Sequence, residues 1–578
     1  MDTISRSFSS IEPLEARIAP AAVVMITDID GDTVSVKTSK GTNAQLTAAL
    51  KLSGMGMTGT IREIDFSTVP LVGGVNPFAG TDLTISVVKQ GPAGDGRVAV
   101  GYIDAAATDG GGMDGTGLVL GNVKIAGDLG QIDVGAGGTA VVIKSLSTQT
   151  LGAFGTSTQG ANASGTSNFN GKVGSIKVTG AVNFMTLSFT SAVANLSVGG
   201  AFLESNIAGT GEFAKINIGP GAVTSGFAAK SIKSLVIKGT LYYGIAVTDD
   251  IGTVKIGGDL IYGKITGRNM TNITIGGTIY GNDGSADSGA VAATGNIGSV
   301  KIGRDLRGGS ADRSGRISAA GNIGSVTIGG SIVAPEVARD SLPGYFAATN
   351  ASTIFAGGNI GSVTVGGNLT GPLLRSIGLD DPRAAVNCST IIASGDITKV
   401  LIKGSMIGTA GDSFQTGSNV RIAATHLGTV SIGGDVTGFL FANLPQIYAT
   451  GTPDKLAIAK LTIGGDLRYA SVIAGLISDG SPANADGRIG SVIIKGNLAS
   501  ATVATVDAGM GVSDNVNIVS RISSITVGGF ITGNALVRAE HIVSVKLGGI
   551  ALKLKAGERN DTTAIVFTPA TASIAEYM

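Results

Sequence analysis

Five residues near the start of the chain have the types and spacing of a calcium-binding loop. Asp28-Ile-Asp-Gly-Asp32 places carboxylates at alternate positions, and Ca²⁺ prefers carboxylate oxygens as ligands. An EF-hand loop would continue with a glycine at its sixth position and a bidentate glutamate at its twelfth, where this chain has Thr33 and Ser39. Strand-like residues follow at once, so a hairpin turn explains the same residues. Calcium is therefore an alternative that the sequence leaves open.

The chain has a second acidic loop and only two histidines. Asn282-Asp-Gly-Ser-Ala-Asp287 offers oxygen ligands, but the nonapeptide repeat of calcium-binding β-helices is absent. His426 and His541 each precede the first apolar residue of a repeat copy, where other copies have Asn322 or Asp396. A turn position explains both histidines. We predict no catalytic, metal-binding or cofactor-binding residue, and no cofactor beyond the calcium left open above.

Carboxylates close to basic residues would be needed for polysaccharide cleavage, because glycoside hydrolysis uses a pair of carboxylates. The nearest such grouping comprises Asp249, Asp250 and Asp259 with Arg304, Asp305 and Arg307. Most of these residues fill polar turn positions of a repeat, so we predict that they form solvated corners.

Four of the nine tyrosines lie close together in the sequence, and the chain has no tryptophan. Tyr242, Tyr243, Tyr262 and Tyr280 fall in successive repeat copies. Sugar-binding clefts favour exposed aromatic side chains, and aromatic residues make up only 4% of this chain, which counts against such a cleft. Strand alternation does not determine which way these four side chains face, so an outward stripe remains a hypothesis.

The elements that must position these residues belong to a repeat. The phrase apolar–x–Ser/Thr–apolar–x–apolar–Gly–Gly–x–apolar recurs from about residue 120 to residue 552, for example at 251–260 and 323–332. We take the last apolar residue before the two glycines as the register mark of each copy. The marks from Val178 to Ile275 are 19 or 20 residues apart, and the later gaps range from 20 to 37 residues. Such self-similarity indicates a solenoid whose coils carry loops of different lengths.

Each copy has the pattern of a short strand followed by a corner. Val254, Lys255 and Ile256 alternate apolar, polar and apolar, so the valine and isoleucine share one face. The glycines allow the chain to turn, and the short polar residue after them can bond to nearby backbone. About 20 residues hold three short strands, at roughly 3.3 Å per residue. We predict an all-β, parallel β-helix of about 17 coils, right-handed by the usual crossover preference. A propeller repeat would run about 40–50 residues, which the spacing of 19 or 20 residues does not fit. Leucine-rich repeats share the period, but their Leu-x-x-Leu-x-Leu-x-x-Asn pattern is missing.

Composition excludes several functional classes. The 41 basic and 41 acidic residues cancel, so there is no basic field for a nucleic acid to recognise. No run approaches the 18–20 apolar residues that span a bilayer. Cys388 is the single cysteine, so an intramolecular disulfide is impossible, and we interpret it as a small residue near a strand start.

We predict four segments. Residues 1–22 form a sorting segment, 23–118 a small β-rich N-terminal cap, 119–552 the parallel β-helix with loop insertions, and 553–578 a C-terminal cap or tail. Within the N-terminal cap we expect a hairpin at 23–37 and a second strand pair at 83–88 and 97–103.

Ile11-Glu-Pro-Leu-Glu-Ala-Arg-Ile-Ala-Pro-Ala21 resembles the N-terminal segment of the LEPR-XLL type, with Ile18-Ala-Pro20 in place of the Leu-Leu pair. Such segments begin large, repeat-rich bacterial proteins with few cysteines that are thought to be exported. The resemblance implies an extracellular or cell-surface location.

The first functional hypothesis is a non-enzymatic exported or cell-surface β-solenoid, a structural or adhesive rod that presents variable loops. Its partners would be polysaccharide or cell-surface and matrix components, which would bind loops on one side. The alternative is a carbohydrate-active enzyme, a polysaccharide lyase or hydrolase, on the same scaffold. The predicted insertions are at about 281–294, 333–356, 370–390, 407–420, 439–457, 470–487 and 500–517.

Overall fold

The computed structural model describes most of the chain, and the described part is nearly all β. It contains one α-helix, Asn43–Ala49, and one 3₁₀ helix, Ala508–Met510. Contacts divide the chain into unit 1, Met1–Ser197, and unit 2, Val198–Met578. The described residues are 21–106, 118–154, 157–158, 164–282, 284–337, 349–374, 388–408, 420–439, 444–477, 479–512, 514–515, 517–562, 565–567 and 571–577.

Unit 1 combines antiparallel and parallel pairing. Its strands are Ala22–Thr27, Thr33–Thr38, Leu50–Leu52, Ile61–Asp65, Thr81–Val88, Val98–Ala106, Leu120–Ile125, Gly127–Gly135, Val141–Thr148, Thr150–Leu151, Thr166–Phe169, Lys172–Val178, Val182–Asn183, Thr186–Phe189 and Val193–Val198.

The predicted hairpin at the start of unit 1 is present, with Ala22–Thr27 antiparallel to Thr33–Thr38. Both strands of the predicted second pair are present, but they do not pair with each other. Thr81–Val88 pairs with Thr33–Thr38 and Leu120–Ile125, whereas Val98–Ala106 belongs to another sheet. The sequence analysis also missed the helix, which a capping box at Thr42 begins.

Unit 2 stacks its strands into three sheets. Sheet 1 comprises Glu212–Phe213, Ile216–Ile218, Ser231–Ile237, Ile251–Ile256, Met270–Ile275, Ile297–Ile302, Ile323–Ile328, Ile360–Val365, Ile397–Ile402, Leu427–Ile432, Ile458–Ile463, Arg488–Ile494, Arg521–Val527, His541–Ile542, Val545–Leu547 and Ile550–Ala551.

Up to Leu536–Ala539, each sheet 2 strand precedes the corner that leads into a sheet 1 strand. It comprises Asn206–Gly209, Phe227–Ala229, Ile245–Val247, Lys264–Gly267, Ala290–Ala293, Ile317–Ala319, Ile354–Ala356, Thr390–Ala393, Arg421–Ala424, Gln446–Ala449, Ser471–Ala474, Thr502–Thr505, Leu536–Ala539, Ile565–Phe567 and Ala572–Glu576.

Sheet 3 follows the Gly-Gly corner and has two-residue strands. Its first two strands join the later ones through parallel bridges from Leu241 to Val223 and to Leu260. Glu336–Val337 and Leu373–Leu374 form a separate parallel pair. Sheet 3 comprises Phe202–Leu203, Val223–Thr224, Leu260–Ile261, Ile279–Tyr280, Leu306–Arg307, Ile332–Val333, Leu369–Thr370, Met406–Ile407, Val436–Thr437, Leu467–Arg468, Leu498–Ala499 and Ile531–Thr532.

The predicted parallel β-helix is confirmed, and the register marks align in sheet 1. Ile237 pairs with Ile256 and Ile256 with Ile275, in parallel and without slippage. The same alignment continues through every later copy to Leu547. The aligned isoleucine, valine and leucine side chains from Ile237 to Val527 are buried. A continuous apolar core therefore forms by stacking, which no single coil provides alone.

The polar residue after each Gly-Gly accepts a hydrogen bond from the backbone N–H of its equivalent in the next coil. The donor–acceptor distances of this corner ladder are 2.7–3.5 Å. Each bond satisfies a backbone donor at the turn and ties neighbouring coils together. Its acceptors are Asp259, Thr278, Asp305, Ser331, Asn368, Ser405, Asp435, Asp466 and Asn497.

The predicted insertions do not all leave from one corner. Residues 281–289, 334–353, 371–389 and 408–420 connect sheet 3 to sheet 2, whereas 475–487 and 506–520 connect sheet 2 to sheet 1. Parts of these insertions, notably 338–348, 375–387 and 409–419, lie outside the described residues. Most of the predicted sorting segment 1–22 also lies outside them.

Candidate functional site

The carboxylate–arginine grouping predicted from the sequence occupies two different corners. Asp250 pairs with Arg268 at 3.0 Å and accepts from the backbone N–H of Asn269, ahead of a sheet 1 strand. Asp305 lies in the corner ladder after such a strand and pairs with Arg307 at 2.9 Å. A six-residue strand separates the corners by roughly 20 Å, so these carboxylates do not converge on one ligand.

Of the two histidines, His426 occupies the predicted turn position, whereas His541 begins the sheet 1 strand His541–Ile542. Before the sheet 1 strands, a second ladder runs through Asn296, Asn322 and Asn359, with bonds of 2.7–2.8 Å to the next coil. At its end the His426 Nδ1 atom lies 2.6 Å from Asp396 Oδ1, and Nε2 lies 3.0 Å from the Thr452 hydroxyl.

Two groups close to Asp396 favour its carboxylate form. Burial alone would raise the pKa of Asp396, but hydrogen bonds from Lys455 and His426 outweigh burial and lower it. His426 is thus held within a structural network of the ladder.

The first candidate calcium loop brings three carboxylates within 4.8 Å of one another. Asp32 accepts backbone N–H groups from Gln90 at 2.6 Å and Gly96 at 2.7 Å, and Asp28 accepts the N–H of Asp32 at 2.9 Å. Burial and a hydrogen bond with Asp30 raise the pKa of Asp28 to about 6. These bonds give the carboxylates a role in joining two loops, and calcium stays an alternative.

A cavity of about 250 Å³ lies beside this loop, lined by Asp28, Asp30, Arg97 and Phe154, among others. Asp128 also lines it and is 4% exposed, and burial raises the pKa of its carboxyl group. Asp128 Oδ1 accepts from the Thr150 hydroxyl at 2.7 Å, while Oδ2 has no hydrogen-bond partner.

The second candidate calcium loop has its last carboxylate engaged in ion pairs. Asp287 lies 2.8 Å from Arg313 and 3.6 Å from Lys264. The Arg313 hydrogen bond lowers the pKa of Asp287. Asp283 lies outside the described residues.

The structure also forms an acidic cluster that the sequence analysis missed. Oxygens of Glu63, Asp65 and Asp104 lie within 4.8 Å of one another, because Asp65 and Asp104 are in register on neighbouring strands. Asp133 continues the same row on the next strand. Lys51 pairs with Glu63 at 3.0 Å and with Asp65 at 2.7 Å.

Burial, together with the charges of the neighbouring carboxylates, raises the pKa of Asp104 to about 6. A usable sequence signal was present, since Ile-Asp recurs at 64–65, 103–104 and 132–133. In each copy a buried isoleucine is followed by an aspartate on the opposite face of the strand.

The four tyrosines of the predicted stripe are exposed, by 36% to 59%. They lie where sheet 3 turns into sheet 2, and Tyr242, Tyr243 and Tyr262 line one groove of about 860 Å³. The corner residues here are only 242–244 and 262–263, whereas several later coils insert loops at the same corner, for example at 281–289 and 334–353. We call this groove the open corner. The hypothesis of an outward stripe is therefore confirmed.

Polar side chains surround the tyrosines of the open corner. Glu204 and Thr224 line it on the side of the earlier coils, and Asn282 and Ser285 of the first insertion line it on the other side. Among the described residues that line the groove, Glu204 is the one carboxylate. The groove thus combines aromatic faces with a few hydrogen-bonding groups, as ligand sites commonly do.

Tyr262 occupies the left-handed backbone region, with φ 61°. That region costs a residue with a Cβ roughly 1–2 kcal/mol, and strained residues of this kind are found disproportionately at functional sites. Tyr469 occupies the same corner position in a later coil, with φ 46°. The exposed tyrosine at 262 is thus held in place despite a local conformational cost.

Cys388 is fully buried near Ala334 and Ala351. Burial raises the pKa of its thiol to about 12. A thiol in this environment is a packing residue and a poor nucleophile, as the sequence predicts.

No protein-family model, curated protein or solved structure matches this chain. Within the described residues, no helix has the length and hydropathy to cross a bilayer.

Proposed function

We propose that this protein is a non-enzymatic, exported or cell-surface β-solenoid with a structural or adhesive role. The observation that carries the proposal is the open corner, an exposed groove lined by Tyr242, Tyr243 and Tyr262. Hydrolysis of a glycosidic bond would need two carboxylates, and Glu204 alone lines the groove among the described residues. The groove therefore has the composition of a binding surface.

The corner ladders also support a structural role. The carboxylate and amide oxygens that could have served chemistry instead accept hydrogen bonds from the next coil. This use of polar groups builds a regular, extendable stack. The export part of the proposal rests on the resemblance of residues 11–21 to the LEPR-XLL segment.

Fractionation of native cells tests the location. We expect the protein in the medium or envelope, accessible to protease added to intact cells, while a cytosolic marker stays protected. A variant lacking residues 2–22 should remain in the cytosol if that segment directs export. Recovery of the unaltered protein from the cytosol alone would overturn the proposal.

A carbohydrate-active enzyme is the second candidate, and the acidic cluster is the observation that favours it. Asp104, with a pKa of about 6, has the protonation expected of a general acid near other carboxylates. Against it, Glu63 and Asp65 are buried and paired with Lys51, which restricts contact with a sugar chain.

Turnover assays separate the two candidates. If the cluster is catalytic, the protein should release reducing ends or unsaturated products from a panel of polysaccharides, and Asp104→Asn should lower the rate about 100-fold or more. The absence of any turnover in the unaltered protein would remove the enzymatic candidate.

A further inference from the structure

We propose that the open corner binds a neutral polysaccharide chain laid across successive coils. This inference rests on the proposed adhesive function and names its ligand. It moves the binding site from the insertions to the sheet 3–sheet 2 corners at 242–244 and 262–263, which carry exposed aromatic side chains and no insertion.

The spacing of the tyrosines suits a chain of sugar rings. Tyr243 and Tyr262 each lie two residues after a leucine, and these two leucines, Leu241 and Leu260, pair on adjacent coils. Adjacent strands are about 4.8 Å apart, so the two tyrosines belong to neighbouring layers of the stack. Their exposed fractions are 59% and 53%. A pyranose ring has an apolar C–H face that packs on an aromatic ring, and a polysaccharide repeats that face along its length.

The remaining lining groups match hydroxyl-rich ligands. Glu204 accepts hydrogen bonds, Thr224 and Ser285 both donate and accept them, and Asn282 offers an amide. Sugar hydroxyls are themselves donors and acceptors, so each of these side chains has a partner on a bound sugar. These polar groups would orient the bound sugar chain, and the tyrosines would supply most of the binding affinity.

The charge of the groove favours a neutral chain over an acidic one. Lys264 is the lysine of the groove lining, and its Nζ atom is already 3.6 Å from Asp287. Glu204 contributes an exposed negative charge. A uronic acid polymer would meet this carboxylate without a free lysine to offset it.

The left-handed backbone at Tyr262 permits a variant that removes the ring without weakening the fold. Asparagine tolerates φ near 60° better than tyrosine, so Tyr262→Asn should keep or raise stability. Tyr469→Asn is the matched control, since it makes the same change at the same corner position outside the groove.

The experiment is affinity electrophoresis of the full chain in gels containing one polysaccharide each. The neutral probes are hydroxyethyl cellulose, galactomannan and dextran, and the acidic probes are alginate and polygalacturonate. We expect retardation by at least one neutral probe. The double variant Tyr243→Ala with Tyr262→Asn should bind at least about tenfold more weakly, while Tyr469→Asn binds as the unaltered protein does. Circular dichroism of the double variant should match that of the unaltered protein. The single variant Tyr262→Asn provides a second check that the fold persists.

Three results would overturn the inference: no retardation by any neutral probe, retardation by the acidic probes alone, or retardation that the double variant leaves unchanged. A protein that is found on the cell surface but gives one of these results refutes the ligand and leaves the proposed function standing. A cytosolic protein refutes the proposed function, whatever the gels show.

Discussion

At the scale of single residues, the stacking of strands decides which ionisable side chains lie close together and thereby shifts their pKa values. Asp65, Asp104 and Asp133 come from segments far apart in the chain and form one row because their strands are in register. Partial burial opposes the ionisation of Asp104, and the like charges beside it add to the effect. Asp104 shows the result, with a pKa raised from its ordinary 3.8 to about 6.

Asp104→Asn should stabilise the protein at neutral pH and not at pH 4. A raised pKa means that the folded state holds the proton more tightly, so stability falls as pH rises from about 3.8 to about 6. Asparagine lacks this penalty. After allowance for partial exposure, we expect a gain of about 1 kcal/mol at pH 7.5, measured by thermal unfolding at both pH values.

The exposed Asp454 supplies a control, since Asp454→Asn should change stability little at either pH. A loss of stability in Asp104→Asn at pH 7.5 would contradict the prediction, because it would mean that the charge is needed.

At the scale of the element, each coil is a short strand bounded by corners whose side chains bond to the next coil. Asn322 illustrates the arrangement: its backbone N–H donates to Asn296 Oδ1 at 2.8 Å, and its own Oδ1 accepts from Asn359 at 2.7 Å. Asp250 and Asp396 stand at equivalent positions elsewhere. An acceptor oxygen on a short side chain is therefore the common requirement.

Asn322→Ala should expose the Asn359 amide to exchange. The variant removes the acceptor of that N–H, which costs about 0.5–1.5 kcal/mol, and hydrogen exchange of peptides covering 354–365 should become faster. Asn322→Asp keeps the acceptor and should retain protection. Equal protection in the alanine and aspartate variants would show that the ladder adds no stability.

At the scale of the whole molecule, unit 2 is quasi-one-dimensional, because each coil packs against its immediate neighbours. Val326 lies between Val300 and Val363 of the adjacent coils, and all three are buried. In such a stack the effect of a local defect should fall off along the axis. A globular core would spread the same defect throughout.

Val326→Asp should therefore loosen unit 2 locally, since it buries a charge with no partner. We expect the largest rise in hydrogen exchange at 297–302 and 360–365 and the smallest at 231–237 and 521–527. Thr327→Asp, on the exposed face of the same strand beside Lys301, should have little effect. A uniform rise across unit 2 in the first variant would refute the one-dimensional description.

The sequence by itself determined the repeat, its register and the duty of its corner residues. This information is local, because period-two alternation and Gly-Gly corners specify each coil from about 20 neighbouring residues. The assignment of His426, Asp259 and Asp305 to turns followed from that alignment.

Only the tertiary structure decided which side chains meet and which face outward. The direction of Tyr262 depends on a left-handed corner residue, where strand alternation no longer applies. The acidic cluster depends on pairing between strands about 30 to 40 residues apart in the chain. The sequence indicated that function would lie in the insertions, whereas the tyrosines of the open corner lie at corners 242–244 and 262–263, which carry no insertion.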